Sequence, residues 1–248
     1  MYEPLWYALI ASLVVSLLSL VGVFFLSIKE KTLSKILLHL VGFSAGALIG
    51  GAFLHLIPEI VEESSGISVF IYLIIGIGVF FILERLIHWH HCHEEICEVH
   101  TFTYMNLVGD SIHNFLDGIV IATAFLVDVH LGIVTTIVII AHELPQEIGD
   151  FGVLLHGGWS KGKALFWNFM TAITAIIGAL LGFFLSTKIE HFNSFLIPFA
   201  AGGFIYIAMS DLIPELHKEQ QISKALVHFG FFALGVGLML AIKLLGVE

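Results

Sequence analysis

The chain has 248 residues, of which 58% are hydrophobic and only 12% are charged. Soluble domains are about half apolar and about one quarter charged, so this composition, with a mean hydropathy of +1.00, excludes an ordinary soluble protein and indicates an integral membrane protein. The formal charge is −10 and the ten basic residues are scattered through short loops, which argues against a nucleic-acid partner.

Eight apolar runs are each near the length of about 20 residues with which a helix crosses a bilayer. They cover residues 5–27, 36–58, 67–88, 104–127, 131–155, 164–187, 194–215 and 223–245. The first run is too long for the core of a signal peptide, and no Lys or Arg precedes it, so we expect a retained membrane helix. The predicted fold class is an all-α integral membrane protein, with one transmembrane domain of eight helices over residues 1–248.

The basic residues of the loops predict the orientation. With the N-terminus outside, eight Lys and Arg residues fall on the inner side, and only Lys188 and Lys243 fall on the outer side. Cytoplasmic loops of membrane proteins carry the excess of positive charge. We therefore expect both termini to be extracytoplasmic, and the short tails favour a microbial plasma membrane.

An internal repeat relates the second span to the seventh. Residues 43–60 align without gaps with residues 199–216, and nine of the eighteen positions are identical. The two spans are an odd number of crossings apart, so the segments run in opposite directions through the membrane. Inverted repeats are typical of transporters, which expose one site alternately to each side. We expect a 3+2+3 arrangement, in which spans 1–3 and 6–8 surround the central spans 4 and 5.

Polar residues of the repeat lie near the ends of their spans. They are His55, Glu59, Asp211 and Glu215. His55 and Asp211 occupy equivalent positions of the repeat, and each is followed one turn later by a glutamate. Two interpretations stay open: these side chains line an ion path, or they anchor helix ends where polar residues are tolerated.

The loop between the third and fourth spans, about residues 88–103, is rich in histidine and is predicted to be cytoplasmic. It includes His90, His91, Cys92 and His93. Imidazole and thiolate bind borderline metals, so we favour metal capture or sensing over a merely solvated polar loop. Both cysteines of the chain fall in this loop, on the reducing side of the membrane, and form no disulfide framework.

The two central spans carry imidazole, amide and carboxylate groups at membrane depth. The side chains are His113, Asn114, Asp117, His142, Glu143, Gln146 and Glu147. Residues four apart share a helix face, so His113 stands over Asp117, and the two spans can together offer nitrogen and oxygen ligands to zinc, iron(II) or manganese. A charged residue at the bilayer centre costs about 2.5–3.5 kcal/mol on insertion scales, which favours a function over polar glue between helices.

Pro145 lies inside the predicted fifth span. Because proline has no backbone N–H, it removes the helical hydrogen bond to the carbonyl of Ala141. We expect a free carbonyl and a bend in the helix beside the candidate ligands.

These motifs resemble the ZIP (Zrt/Irt-like) family of divalent metal transporters over essentially the whole chain. The resemblance is carried by the HNxxDG motif that begins at His113, the HExPxExGD motif that begins at His142, and the histidine-rich loop. It implies an eight-helix fold that moves divalent cations into the cytoplasm without ATP. The implied substrate is Zn²⁺, with Fe²⁺, Mn²⁺ and Cd²⁺ as further candidates, and no cofactor is expected.

The resemblance also implies two adjacent metal positions between spans four and five. The primary position would use His113, Asp117, His142 and Gln146. The neighbouring position would use Asn114, Asp117 and Glu143. Gln146 is a departure, because the similar subfamily usually has His here and an amide oxygen is a weaker zinc ligand than imidazole. We expect zinc selectivity to depend on this residue.

Two other functions fit part of the pattern. The stretch from His142 to Gln146 is one residue short of the HExxH motif of zinc proteases, in which the glutamate activates a zinc-bound water, so an intramembrane metalloprotease is the alternative. An inverted repeat has no use in a protease, however. A metal sensor would need only the histidine-rich loop and would leave the polar residues at membrane depth without a purpose. The sequence leaves open whether the chain forms a homodimer.

Overall fold

The computed structural model describes residues 3–22, 30–63, 66–89, 99–156, 158–189 and 191–244. The α-helices in these ranges are α1 (Glu3–Leu18), α2 (Glu30–Gly51), α3 (Ile57–Glu63), α4 (Ser68–Trp89), α5 (Val99–Val127), α6 (Val129–His156), α7 (Lys161–Ala172), α8 (Thr174–Lys188), α9 (Phe192–Ile207), α10 (Ile213–His217) and α11 (Ile222–Leu244). A short 3₁₀ turn follows α1. Two π-helices, Ala52–Leu56 and Ala208–Leu212, connect α2 to α3 and α9 to α10.

The helices confirm the predicted all-α membrane class. In the described part of the chain, seven helical stretches are long and apolar enough to cross a membrane. A shorter apolar stretch, Ser68–Leu83 in α4, falls at the predicted third span.

The two central helices, α5 and α6, are joined by the single residue Asp128. Its Oδ1 accepts hydrogen bonds from the backbone N–H groups of His130 (2.7 Å) and Leu131 (3.1 Å), which caps the start of α6. The chain therefore reverses at once, and α5 and α6 pack as antiparallel neighbours. This turn brings residues from the middle of α5 opposite residues from the middle of α6.

Close backbone contacts join pairs of helices. A Cβ atom on Gly46 of α2 would collide with the carbonyl oxygen of Phe232 in α11, and one on Gly118 of α5 would collide with the carbonyl oxygen of Ala175 in α8. Gly178 of α8 faces the backbone of α5 in the same way. Small residues let membrane helices approach closely. The glycine of the HNxxDG motif therefore has a packing role.

The two aligned segments of the internal repeat have the same local structure. Each passes from an α-helix into a five-residue π-helix, and both π-helices occupy the same aligned positions. Gly46 packs against the backbone of α11, and its aligned counterpart Gly202 packs against the backbone of α4. π-Helical turns are rare and often accompany functional sites.

The buried apolar core surrounds α5 and α6 and includes Ile121 and Ile139, which are fully buried. Large apolar side chains remain exposed on α1, α4 and α11, among them Trp6, Phe70 and Leu234. Such extensive apolar exposure is unfavourable in water and suits a surface covered by lipid. The central pair is thus shielded by the other helices, and its polar residues lie away from the lipid-facing surface.

Candidate metal centre

Four side chains of α5 and α6 converge inside the bundle. They are His113, Asp117, His142 and Glu143, and one ligand atom of each lies within 4.8 Å of the others. The Nε2 atom of His113 is 3.2 Å from the Nε2 atom of His142 and 3.2 Å from Oε1 of Glu143. The Nε2 atom of His142 is 3.3 Å from Oδ2 of Asp117 and 3.6 Å from Oε1 of Glu143. We call these four residues the histidine group.

The separations within the histidine group match those of ligands around one small divalent ion. Nitrogen and oxygen ligands of tetrahedral zinc lie at about 2.0–2.2 Å from the metal, which sets neighbouring ligand atoms roughly 3.3–3.6 Å apart. One further distance, between Nε2 of His113 and Oδ2 of Asp117, is slightly longer at 3.8 Å. These five separations are therefore close to those of a four-coordinate zinc site, and the four atoms have the chemistry that zinc prefers.

The ring of His142 is held in one tautomer. Its Nδ1–H donates to the carbonyl oxygen of Val138, one turn earlier on α6, at 3.1 Å. Because a carbonyl only accepts, the proton of the neutral ring is on Nδ1, and Nε2 keeps a lone pair for a metal. The ring is 2% exposed and lies 5.7 Å from the ring of Phe204, which covers it. This orientation is the one that a ligating histidine needs.

Pro145 affects the site through the backbone of α6. The helix is continuous through this residue, and the Oγ–H of Ser44 donates to the carbonyl oxygen of Ala141 at 2.5 Å. The sequence predicts that Pro145 leaves this carbonyl without its helical N–H donor. In the structure, the hydroxyl of Ser44 in α2 is the donor instead. One hydrogen bond thus links a repeat helix directly to the helix that carries His142.

The carboxylates of the histidine group are deeply buried. Glu143 is fully buried and Asp117 is 4% exposed. Within the described residues, neither oxygen of Glu143 nor Oδ2 of Asp117 has a hydrogen-bond partner, although imidazole nitrogens lie nearby. Buried charges are stable only when they are paired or bound to a metal. A divalent cation at this position would satisfy these oxygens.

The model of the ZIP zinc transporter family matches this chain over residues 2–97 and 89–243. The chain belongs to the ZIP family. Zinc transporter zipt-7.1 of Caenorhabditis briggsae is 31% identical, over 83% of this chain and 70% of the relative. Zinc transporter ZIP13 of Pongo abelii is 31% identical, over 83% of this chain and 66% of the relative. The zinc transporter ZIP13 homolog of Drosophila melanogaster is 26% identical, over 98% of this chain and 90% of the relative. These matches give no support to the metalloprotease alternative.

Two residues of this ZIP-family chain that were predicted to bind metal form hydrogen bonds with a carboxylate. Gln146 donates through Nε2 to Oδ1 of Asp110 at 3.4 Å, and Asn114 donates through Nδ2 to the same oxygen at 2.8 Å. Glu143, which the resemblance assigns to the neighbouring position, lies with the imidazoles instead. The ligand set that the structure brings together therefore includes Glu143.

Asp110 is the site residue that the sequence reasoning missed. It is 5% exposed and lies on α5, one turn before His113 and Asn114. The sequence could have identified it, because Asp110 is a carboxylate in an apolar helix and shares a helix face with Asn114, four residues later. Glu147, which was predicted, is fully buried, and its Oε2 accepts from Nδ2 of Asn168 at 2.5 Å.

A cavity of about 180 Å³ adjoins the site. Its lining residues are Val41, His142, Pro145, Gln146, Ile207 and Leu212. Val41 lies near the start of the candidate span Leu38–Val61, and Leu212 lies near the end of the candidate span Phe192–His217, so both lie toward the loops that are predicted to be cytoplasmic. The cavity thus reaches the edge of the histidine group from that half of the bundle.

The remaining predicted residues do not join the histidine group where the structure describes them. His55 is 2% exposed, and its Nε2 lies 2.9 Å from the carbonyl oxygen of Met239. Glu215 forms an ion pair with the exposed Lys218, which fits the helix-end interpretation. Glu59 lies in α3, near the end of the same span as His55. The predicted residues that fall outside the described side chains are Asp211, His90, His91, Cys92 and His93.

Proposed function

We propose that this chain is a secondary transporter that carries divalent transition-metal cations into the cytoplasm through the histidine group. Zn²⁺ is the expected substrate, and Fe²⁺, Mn²⁺ and Cd²⁺ are further candidates. The proposal depends chiefly on the convergence of two imidazole nitrogens and two carboxylate oxygens within 4.8 Å of one another, between membrane helices. Membership of the ZIP family and the names of its relatives support metal transport.

The proposed architecture has eight spans in a 3+2+3 inverted repeat, in the plasma membrane, with both termini outside and lipid around the outer helices. Equivalent π-helices and equivalent glycine contacts in the two aligned segments support it. In this arrangement the outer helices move as two related units around the central pair, which exposes the ion to one side at a time.

The present conformation fits an inward-open state of such a carrier. The cavity beside His142 lies toward the predicted cytoplasmic loops. On the other side of the ring, one turn earlier on α6, Val138 is 1% exposed, and a Cβ on Gly51 would lie 2.5 Å from its side chain. Tight packing toward the outside and a cavity toward the inside are the arrangement expected for release into the cytoplasm.

The charges of the site explain how it accepts a dehydrated ion. Asp117 and Glu143 supply two negative charges, which offset the loss of hydration of a doubly charged cation. The two imidazoles bind only when Nε2 is unprotonated, so protons compete with the metal. We therefore expect uptake to fall when the pH is lowered from about 7.5 to about 5.5.

Reconstituted vesicles test the proposed function. The parent protein should take up radioactive zinc, and the variant that combines His113→Ala with Asp117→Ala should take up none above empty vesicles. Glu219→Gln, a change at a residue outside the candidate spans, serves as the matched control and should retain parental uptake. Uptake by the double variant, in protein that elutes as the parent does in gel filtration, would contradict the site assignment.

A further inference from the structure

A second pair of histidines lies away from the central helices, where α2 meets α11. The rings of His39 in α2 and His228 in α11 have their centroids 5.7 Å apart, with an angle of 64° between the ring planes. In the histidine group, the rings of His113 and His142 have their centroids 5.4 Å apart, at an angle of 89°. The two pairs therefore have similar geometry, although they lie between different helices.

The separation of His39 and His228 fits two imidazoles that bind one ion. A ligating nitrogen lies about 2.0–2.1 Å from zinc, which puts the centre of its ring about 3.2 Å from the ion. Two rings on one tetrahedral ion therefore have centres about 5.2 Å apart. The observed 5.7 Å is close to this value, so small rotations of the side chains bring both rings to a shared ion.

His228 is the buried member of the pair. It is 5% exposed, and its Nδ1 atom is buried without a hydrogen-bond partner among the described residues. Buried polar atoms of proteins are nearly always paired, so a nitrogen without a partner needs an explanation. A cation bound through the lone pair of a neutral imidazole would satisfy this nitrogen.

The fold fixes the distance between the two histidines. A Cβ atom on Gly42, about one turn after His39, would lie 2.9 Å from the carbonyl oxygen of His228, so the backbones of α2 and α11 nearly touch here. The ring of His39 also stacks on the ring of Phe231, with centroids 4.6 Å apart and an angle of 16°. Ligands that are held in place before binding lose less entropy when the ion arrives.

The pair lies at the predicted cytoplasmic end of its two helices. His39 is near the start of the candidate span Leu38–Val61, and His228 is in the first third of the candidate span Ile222–Leu244. His39 is partly exposed, which gives an ion access from the cytoplasm. Neither histidine is among the residues that line the cavity beside His142. The pair is therefore separate from the proposed transport path.

The charges near the pair are balanced. Lys224, one turn before His228 on α11, forms an ion pair with Oε2 of Glu219 at 3.2 Å. A hydrogen bond from the backbone of Gln221, together with Lys224, lowers the pKa of Glu219, so this carboxylate stays ionised at neutral pH. The positive charge of Lys224 is thus offset and does not repel a cation at His228.

We propose that His39 and His228 bind a borderline divalent cation, such as Zn²⁺, Ni²⁺ or Cu²⁺, at the cytoplasmic end of the α2–α11 interface. Imidazole suits these metals, whereas Mg²⁺ and Ca²⁺ prefer oxygen ligands. Water from the cytoplasm completes the coordination on the exposed side of His39. The bound ion links α2 to α11 and stabilises their packing. Binding at this pair requires neither the histidine group nor transport.

Chemical modification of single histidines tests the proposal. Diethyl pyrocarbonate acylates imidazole nitrogens that carry neither a proton nor a metal, and mass spectrometry of the digested chain reads each histidine separately. In the full-length parent in detergent, Zn²⁺ should slow the modification of His39. At about ten times the Kd, about one molecule in eleven keeps a free site, so the rate should fall about tenfold. Mg²⁺ at the same concentration should leave the rate unchanged.

Variants show whether the two histidines act together. His228→Ala should let His39 react at the same rate with and without Zn²⁺, although His39 itself is intact. The protection of His113 by Zn²⁺ should persist in this variant, because the histidine group is unchanged. His217→Ala is the matched control, since it removes an exposed imidazole of α10, and it should keep the protection of His39.

The parent alone can overturn the proposal, even if a variant fails to fold. The proposal is wrong if His39 reacts equally fast at every Zn²⁺ concentration at which the protein stays monodisperse. Protection of His39 that persists in folded His228→Ala would also overturn it, because other ligands would then hold the ion. The protection of His113 is read from the same spectra, so the histidine group and this pair can fail separately.

Discussion

The interface between α5 and α6 and the interface between α2 and α11 are both buried, but they differ in the groups that meet there. Between α5 and α6 lie imidazoles and carboxylates, among them His142 and Glu143, and several of their oxygens lack partners among the described residues. Between α2 and α11 the backbones themselves meet, because Gly46 and Gly235 offer no side chains. The first interface is built for a ligand and the second for close, uniform packing. Changes in the first should therefore remove transport from a folded protein, and changes in the second should remove the fold.

The largest effect on transport is expected from Glu143→Gln. This residue belongs to the histidine group and is fully buried, so the change removes one of the two carboxylates that face a bound ion. Zinc uptake should fall by more than roughly 100-fold, beyond the usual 10- to 100-fold cost of losing an outer partner of a metal ligand. Uptake into vesicles measures the effect. Thermal unfolding without metal should stay close to that of the parent, because glutamine has nearly the same volume and shape as glutamate.

Gly46→Leu tests the packing interface. A side chain at this position would collide with the backbone of Phe232, which cannot move aside like a flexible side chain. Overpacking should destabilise the protein by about 3 kcal/mol or more, measured as loss of monodisperse protein and a lower unfolding temperature. Gly78→Leu on α4 is the matched control, since no atom of the described residues lies within 4 Å of its Cβ position, and it should fold normally. Equal stability of the two variants would contradict the assigned role.

Gln146→His should change selectivity more than rate. An imidazole replaces the amide that now contacts Asp110, beside the ring of His142 on the cavity wall. Preference for Zn²⁺ over Mn²⁺ in competition assays should rise on the order of tenfold, equivalent to about 1.4 kcal/mol. An unchanged preference would mean that the residue does not reach the transported ion.

Ser44→Ala tests the hydrogen bond that links α2 to α6, and its effect is expected on stability alone. The change leaves the carbonyl of Ala141 without its donor. Leaving one buried acceptor unsatisfied should cost about 1–3 kcal/mol in the free energy of unfolding. Thr187→Ala, which removes an exposed hydroxyl bond to Phe184, should cost less. If the two variants unfold at the same temperature, the bond between α2 and α6 contributes little.

The convergence of residues from the two central helices could be predicted from the sequence, because helix spacing is a local rule. Residues four apart share a helix face, and ionisable side chains at membrane depth are costly unless they have a function. His113 and Asp117 are therefore identified as candidates by spacing and residue type alone. The same rules apply to Asp110, but the recognised motif begins after it. The freed carbonyl of Ala141 follows from the covalent structure of Pro145.

Other features depend on packing and could not be predicted in this way. Asn168 and Glu147 are 21 residues apart in the chain, and their contact requires α7 to pack beside α6. Hydrophobic periodicity does not distinguish the π-helix Ala52–Leu56 from a continuous α-helix. The position of Glu143 beside both imidazoles depends on side-chain rotamers, which motif spacing does not specify.

The most direct test of the metal centre is a crystal structure of the full chain grown with Cd²⁺, with anomalous scattering measured to locate the ion. We expect a peak bounded by Nε2 of His113, Nε2 of His142, and carboxylate oxygens of Asp117 and Glu143, at ligand distances of roughly 2.0–2.4 Å. A transport-active protein whose cadmium peaks all lie elsewhere, with these four side chains turned toward separate protein partners, would contradict it.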